Sequence, residues 1–122
     1  MPVLYSENDK TKTAEIVIQG RITRQDFNNV SKRLEGFIAR HGKVKLIEKI
    51  DDYKGFEMSA LGPSLAFNFR NWSKISHCAV LSNTPLMGAF VKASNAMSPI
   101  DIKSYKNTAQ GLKAARKWTQ SV

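Results

Sequence analysis

Apolar residues recur along this chain at two periods, and the period changes mark its elements. Val3 to Ser6 is a short strand candidate, and Glu7 to Lys12 is polar turn material. Ala14 to Gln19 alternates, with Ile16 and Ile18 on one face and Val17 on the other, so the two stretches predict a hairpin. Thr23 to His41 carries Phe27, Val30, Leu34, Phe37 and Ile38 along one stripe at the helical period. Thr23 followed by Asp26 is a capping-box variant, and Gly42 stands where a C′ glycine ends a helix. Val44 to Ile50 predicts a strand, followed by a loop over Asp51 to Gly55. Leu61, Leu65, Phe69 and Trp72 then recur at helical spacing, and Pro63 fixes the start of that helix, because proline cannot sit in a helix interior.

His77 to Leu81 is short and mostly apolar, as a buried central parallel strand requires. Thr84 and Pro85 suit the N-cap and first position of a further helix, running to about Met97. Ile100 and Ile102 alternate with Asp101 and Lys103, the pattern of a half-exposed edge strand. Thr108 to Gln120 is a terminal helix with Leu112, Ala115 and Trp118 inward. Strands alternating with helices predict an α/β fold: a mixed, mostly parallel sheet of about five strands with helices on both faces. The hairpin adds an antiparallel N-terminal edge strand, and His77 to Leu81 is expected in the interior.

The length of 122 residues is that of one domain, 1–122, and 42% apolar with 24% charged residues is a globular composition. No apolar stretch reaches the roughly 20 residues needed to span a bilayer, and no secretory leader is expected at the N-terminus. The single cysteine, Cys78, forms no internal disulfide, which fits a cytoplasmic location. Charge is uneven. The chain carries +9, and residues 58–122 hold eight basic side chains against Asp101 alone. Such a half favours anionic partners, although its cations are scattered and form no compact nucleic-acid run. Specific nucleic-acid binding is therefore not expected. Lys113, Arg116 and Lys117, on one helical face, are the strongest local cluster and the candidate anion contacts.

The element order, together with certain words, resembles the SpoIIAA-like bacterial domain family of unknown function, grouped by fold with STAS anti-sigma-factor antagonists and CRAL-TRIO lipid-binding domains. Those words are Gly20-Arg21-Ile22-Thr23 with Asp26-Phe27, His41-Gly42-Lys43-Val44-Lys45-Leu46, and Asp52 with Gly55-Phe56 and Ala60. The strand His77-Cys78-Ala79-Val80-Leu81 follows, then Tyr105 before Ala115-Arg116-Lys117-Trp118. The resemblance implies fold and little chemistry. STAS antagonists carry a regulatory serine at a helix start, and Ser59 is the nearest position here. Its surroundings lack the family's Asp-Ser-Ser/Thr-Gly string, so an ordinary cap or turn serine is the competing reading.

Glu48, Asp51 and Asp52 cluster near a strand's carboxyl end, where open α/β sheets bind ligands. They could hold a divalent cation, or could belong to a solvated loop whose carboxylates accept backbone hydrogen bonds. His41, His77 and Cys78 are separated and form neither a zinc set nor a Cys–His dyad, so no metal, cofactor or catalytic residue is assigned. Phe56, Met58, Phe67, Met87 and Phe90 exceed what half-buried helices need. They are the candidate apolar pocket or homodimer interface, against the plainer reading that they are core. The sequence thus favours a non-enzymatic binding module acting through protein contact or an apolar ligand. The alternative is a protein of lipid or anionic membrane surfaces, and a third reading is an enzyme using the Asp51/Asp52 loop.

Overall fold

A computed structural model describes residues 3–56, 72–83 and 100–122. Its elements are β1 (Val3–Asn8), β2 (Thr13–Ile22), α1 (Arg24–His41), β3 (Val44–Phe56), β4 (Ile75–Leu81), β5 (Asp101–Tyr105) and α2 (Ala109–Ser121). The five strands form one sheet in chain order, β1 antiparallel to β2 and the rest parallel. β4 lies between β3 and β5, so the apolar run His77–Leu81 is interior, as its composition predicts.

The two helices cover opposite faces. α1 begins at the predicted capping box: Thr23 Oγ1 accepts from Asp26 N at 3.1 Å, and Thr23 N donates to the Asp26 carboxylate at 3.0 Å. It ends at Gly42, whose φ of 81° is open to glycine and whose N–H bonds Ile38 O at 2.7 Å. Leu34, Phe37 and Ile38 press on Ala14, Val44 and Leu46 to form the first core. Burying Phe37 completely stabilises by about 1.5–3 kcal/mol. α2 starts at the Thr108 cap and lays Ala115 and Trp118 on Ile47, Ala79 and Leu81, the second core. Lys45 crosses to the end of α2 and donates to the carbonyls of Thr119 (2.6 Å) and Val122 (2.9 Å). A cation at a helix C-terminus satisfies carbonyls the helix leaves open.

Three expectations need correction. Asp51 to Gly55 is not a loop: β3 runs on to Phe56 because β2 also runs on, to Ile22, and supplies backbone partners. The pairing steps from Ile18–Ile50 to Gln19–Asp52 and from Gly20–Tyr53 to Arg21–Gly55. Asp51 and Lys54 are thus extra residues, bulges that let a polar stretch stay in the ladder. Likewise Glu7 and Asn8 belong to β1 rather than to the turn, since the Glu7 carboxylate is held by Tyr5 and Arg40. Trp72 opens a 3₁₀ turn (Trp72–Lys74) rather than closing a helix. The helices predicted after Pro63 and Pro85 fall outside the described residues, apart from that turn.

Candidate functional site

The parallel strands β2 to β5 all run toward one edge of the sheet, and a polar cluster ties the exits of β4 and β5 to the middle of β3. It is built on Asn107, in the short turn between β5 and the α2 cap. The Asn107 side-chain amide donates to Ile50 O and to Asp51 Oδ1, each at 2.9 Å. Its backbone N–H donates to Asn83 Oδ1 at 3.1 Å, which reaches the residues following β4. Asp51 is also paired with Lys49, and Gln19 of β2 approaches its other oxygen at 3.5 Å. Asn107 therefore joins β3 to the exits of β4 and β5. Lys49 first, then Asn107, hold the Asp51 carboxyl below the usual carboxylate range. Asn107 Oδ1 is buried and has no hydrogen-bond partner among the described residues.

The other face of the same strand end is different in character. Glu48 sits between Leu46 and Ile50 along β3, and opposite Ile16 and Val80 on the flanking strands. Those neighbours belong to the apolar side covered by α1. Burial pushes the Glu48 carboxyl up. Burial and the nearby Glu48 charge together push the buried Cys78 thiol well above its ordinary value, so Cys78 is a neutral, unreactive core side chain.

These positions decide what the sequence candidates can do together. Of the acidic group Glu48, Asp51 and Asp52, the first two face opposite sides of β3, Asp51 is committed to Lys49 and Asn107, and the Asp52 side chain lies outside what the structure describes. Among the described residues no three His, Cys, Asp or Glu side chains could hold a metal ion. His77 packs edge-on to Trp118 at 5.4 Å on the α2 face, while Cys78 points into the α1 core. His41 packs on Phe37 and bonds Asp9 at 2.7 Å. Of the basic cluster, Lys113, Arg116 and Lys117 are all exposed on α2. Arg116, however, makes a two-pronged ion pair with Glu15, both contacts at 2.8 Å. Lys113 and Lys117 have no acidic partner among the described residues. Beside that pair lies a polar cleft of about 350 Å³ between the hairpin and α2, lined by Ser6, Asn8, Thr13, Arg116 and Thr119. Phe56 is the last residue of β3. Met58, Ser59, Phe67, Met87 and Phe90 lie outside the described residues.

Asn83 and Asn107 escaped the reading of the sequence. A signal was present: two of the strands that run to this edge, β4 and β5, are followed by Asn-Thr within three residues, at Asn83-Thr84 and Asn107-Thr108. An asparagine one step before a capping threonine can bond across to a neighbouring strand exit.

A mixed five-stranded sheet in sequential order, with α1 on one face and a terminal helix on the other, defines a SpoIIAA-type α/β fold. Residues 13–120 match the SpoIIAA-like family, and the chain belongs to it. A solved structure of an uncharacterized DUF3478-family protein with a SpoIIAA-like fold, from Shewanella loihica PV-4, superposes with a TM-score of 0.76. That match covers 92% of this chain and 90% of the other at 14% identity, a likeness of fold. No curated protein matches.

Proposed function

We propose that the protein is a small non-enzymatic cytoplasmic binding module that works at the carboxyl edge of its sheet, through a protein partner or an apolar ligand. The observation carrying this reading is that the neighbouring parallel strands β3 and β4 both run toward this edge. Residues 57–71 and 84–99 follow the neighbouring strands β3 and β4 in the chain. Those two segments are rich in large apolar side chains, and the Asn107 cluster fixes the exits of β4 and β5 against the middle of β3. Ligands of open α/β sheets bind at this edge. Phe56, Met58, Phe67, Met87 and Phe90 are the proposed contact residues, and Ser59 is the position a phosphoryl switch would use.

Native mass spectrometry of protein purified from its own host tests this directly. A bound apolar molecule or protein partner is expected, and Met87→Lys with Phe90→Lys should remove it while the chain stays folded. A double variant that unfolds would make these residues plain core and refute the reading. A second reading rests on the exposed Lys113 and Lys117, in the half of the chain with a strong cationic excess. It makes the protein peripheral to anionic lipid. Sedimentation with phosphatidylserine vesicles should then fall steeply as salt rises, because exposed charges act through a screened field. Binding unchanged in molar salt would rule charge out as its cause.

A further inference from the structure

The two edges of the sheet are built differently. β5, one edge, has only five residues and carries Asp101 and Lys103, both exposed, with Lys106 just beyond. Short length and charge are the usual guards against strand-to-strand association. β1, the other edge, has six residues and no lysine, proline or bulge within it. No described strand lies beyond it. On the α2 side of the sheet it carries Leu4, Ser6 and Asn8, all exposed, and Leu4 is 50% exposed despite its apolar side chain. β1 also lies outside the span that matches the family, which begins at residue 13.

We infer that β1 pairs antiparallel with β1 of a second copy of this chain, across a two-fold axis at Ser6, joining two sheets into one. Charge and side-chain alternation select this register. Directly opposite residues in an antiparallel pair share a face, so the axis must pass through a residue and not between two. An axis at Leu4 pairs only residues 3–5. An axis at Tyr5 places Tyr5 against its own copy. Each Arg33 guanidinium lies 4.5 Å over its Tyr5 ring, so that register crowds two cations together. With the axis at Ser6, Tyr5 lies opposite the partner's Glu7, and Leu4 lies opposite the partner's Asn8. Arg33, exposed and already acting on Glu7 of its own chain from over the Tyr5 ring, then also faces the partner's Glu7, a carboxylate held by Tyr5 and Arg40 of its own copy. The arrangement is isologous, each copy giving and receiving the same contact. It is independent of the carboxyl-edge reading, because β1 is the strand farthest from β5.

Analytical ultracentrifugation of the full chain at micromolar concentration should show a species of twice the 13.7 kDa chain mass. Ser6→Lys places two lysines face to face and should leave a folded monomer whose melting temperature, unlike that of the wild type, no longer rises with protein concentration. Arg33→Glu should weaken the dimer about fivefold to tenfold, the effect of a lost and then repulsive cross-strand pair. Under oxidation, Ser6→Cys should give a covalent dimer and Leu4→Cys should not. A monomeric wild type, a dimer that survives Ser6→Lys, or cross-linking through Leu4→Cys in preference to Ser6→Cys would each overturn the inference.

Discussion

Two glycines in helices should respond to the same substitution with opposite signs. Gly36 lies in α1, and a methyl group added there meets nothing within 4 Å. Gly36→Ala should therefore stabilise by about 0.5–1 kcal/mol, the ordinary helix-propensity gain. Gly111 lies in the first turn of α2, and its added methyl would run into the Lys106 carbonyl oxygen, well inside contact distance. It would also lie 3.0 Å from the Lys106 carbonyl carbon and 3.3 Å from Thr108 Oγ1. These are backbone and cap atoms, so the turn at 106–108 must move. That turn carries the Thr108 cap, worth about 1 kcal/mol, and the two side-chain bonds of Asn107, worth about 1 and about 1.5–3 kcal/mol. Losing roughly half of this sum and regaining the propensity term leaves a net destabilisation of about 1–2 kcal/mol. At this chain length that lowers Tm by roughly 4–8 °C. Urea unfolding followed by circular dichroism reads both variants, with the slope m unchanged. If Gly111→Ala stabilises as Gly36→Ala does, the turn is not packed as described and the Asn107 cluster does not hold the strand exits.

Other consequences are as specific. Because the Glu48 carboxyl is pushed up by burial, it favours the native state while protonated, and that contribution is lost as pH rises above the ordinary carboxylate range. Glu48→Gln should therefore gain on wild type as pH rises from about 4.5, and a stability difference flat in pH would refute the assignment. Asp51 works in the opposite sense: its contribution is present above the ordinary carboxylate range and is lost as pH falls, so Asp51→Asn should flatten the acid side of the stability profile. The Arg116–Glu15 pair is half-exposed, so a double-mutant cycle should give a coupling of only about 0.5–1 kcal/mol, shrinking in salt. A coupling several times larger would mean the pair is shielded from solvent.

What was legible in the sequence was whatever local chemistry decides. Thr23 with Asp26 and Gly42 bracketed α1 to the residue, because caps are satisfied within one turn. The unbroken apolar run before Leu81 marked an interior strand, because only a strand covered on both faces tolerates it. The end of β3 was not legible: Glu48, Asp51, Asp52 and Lys54 read as a loop, and only pairing with the full length of β2 overrides that composition. The Asn107 cluster was hidden for a related reason. Asn107 lies 56 positions from Asp51 and 24 from Asn83, and no periodicity reports contacts over such separations. The bond from Arg116 to Glu15 spans 101 positions, so a residue read as a free cation is already matched.

Strand order identical to chain order has a consequence for how the molecule is made. Each strand pairs with the one synthesised just before it, so the sheet can be laid down in the direction of translation, with α1 covering its first face early. N-terminal segments generally fold first as a chain emerges. α2 cannot join that progression, because its partners Ile47, Ala79, Leu81 and Glu15 all precede it. A nascent chain halted before Ala109 would lack the thirteen-residue helix that, among the described residues, covers Ile47, Ala79 and Leu81, so this apolar cluster is completed last.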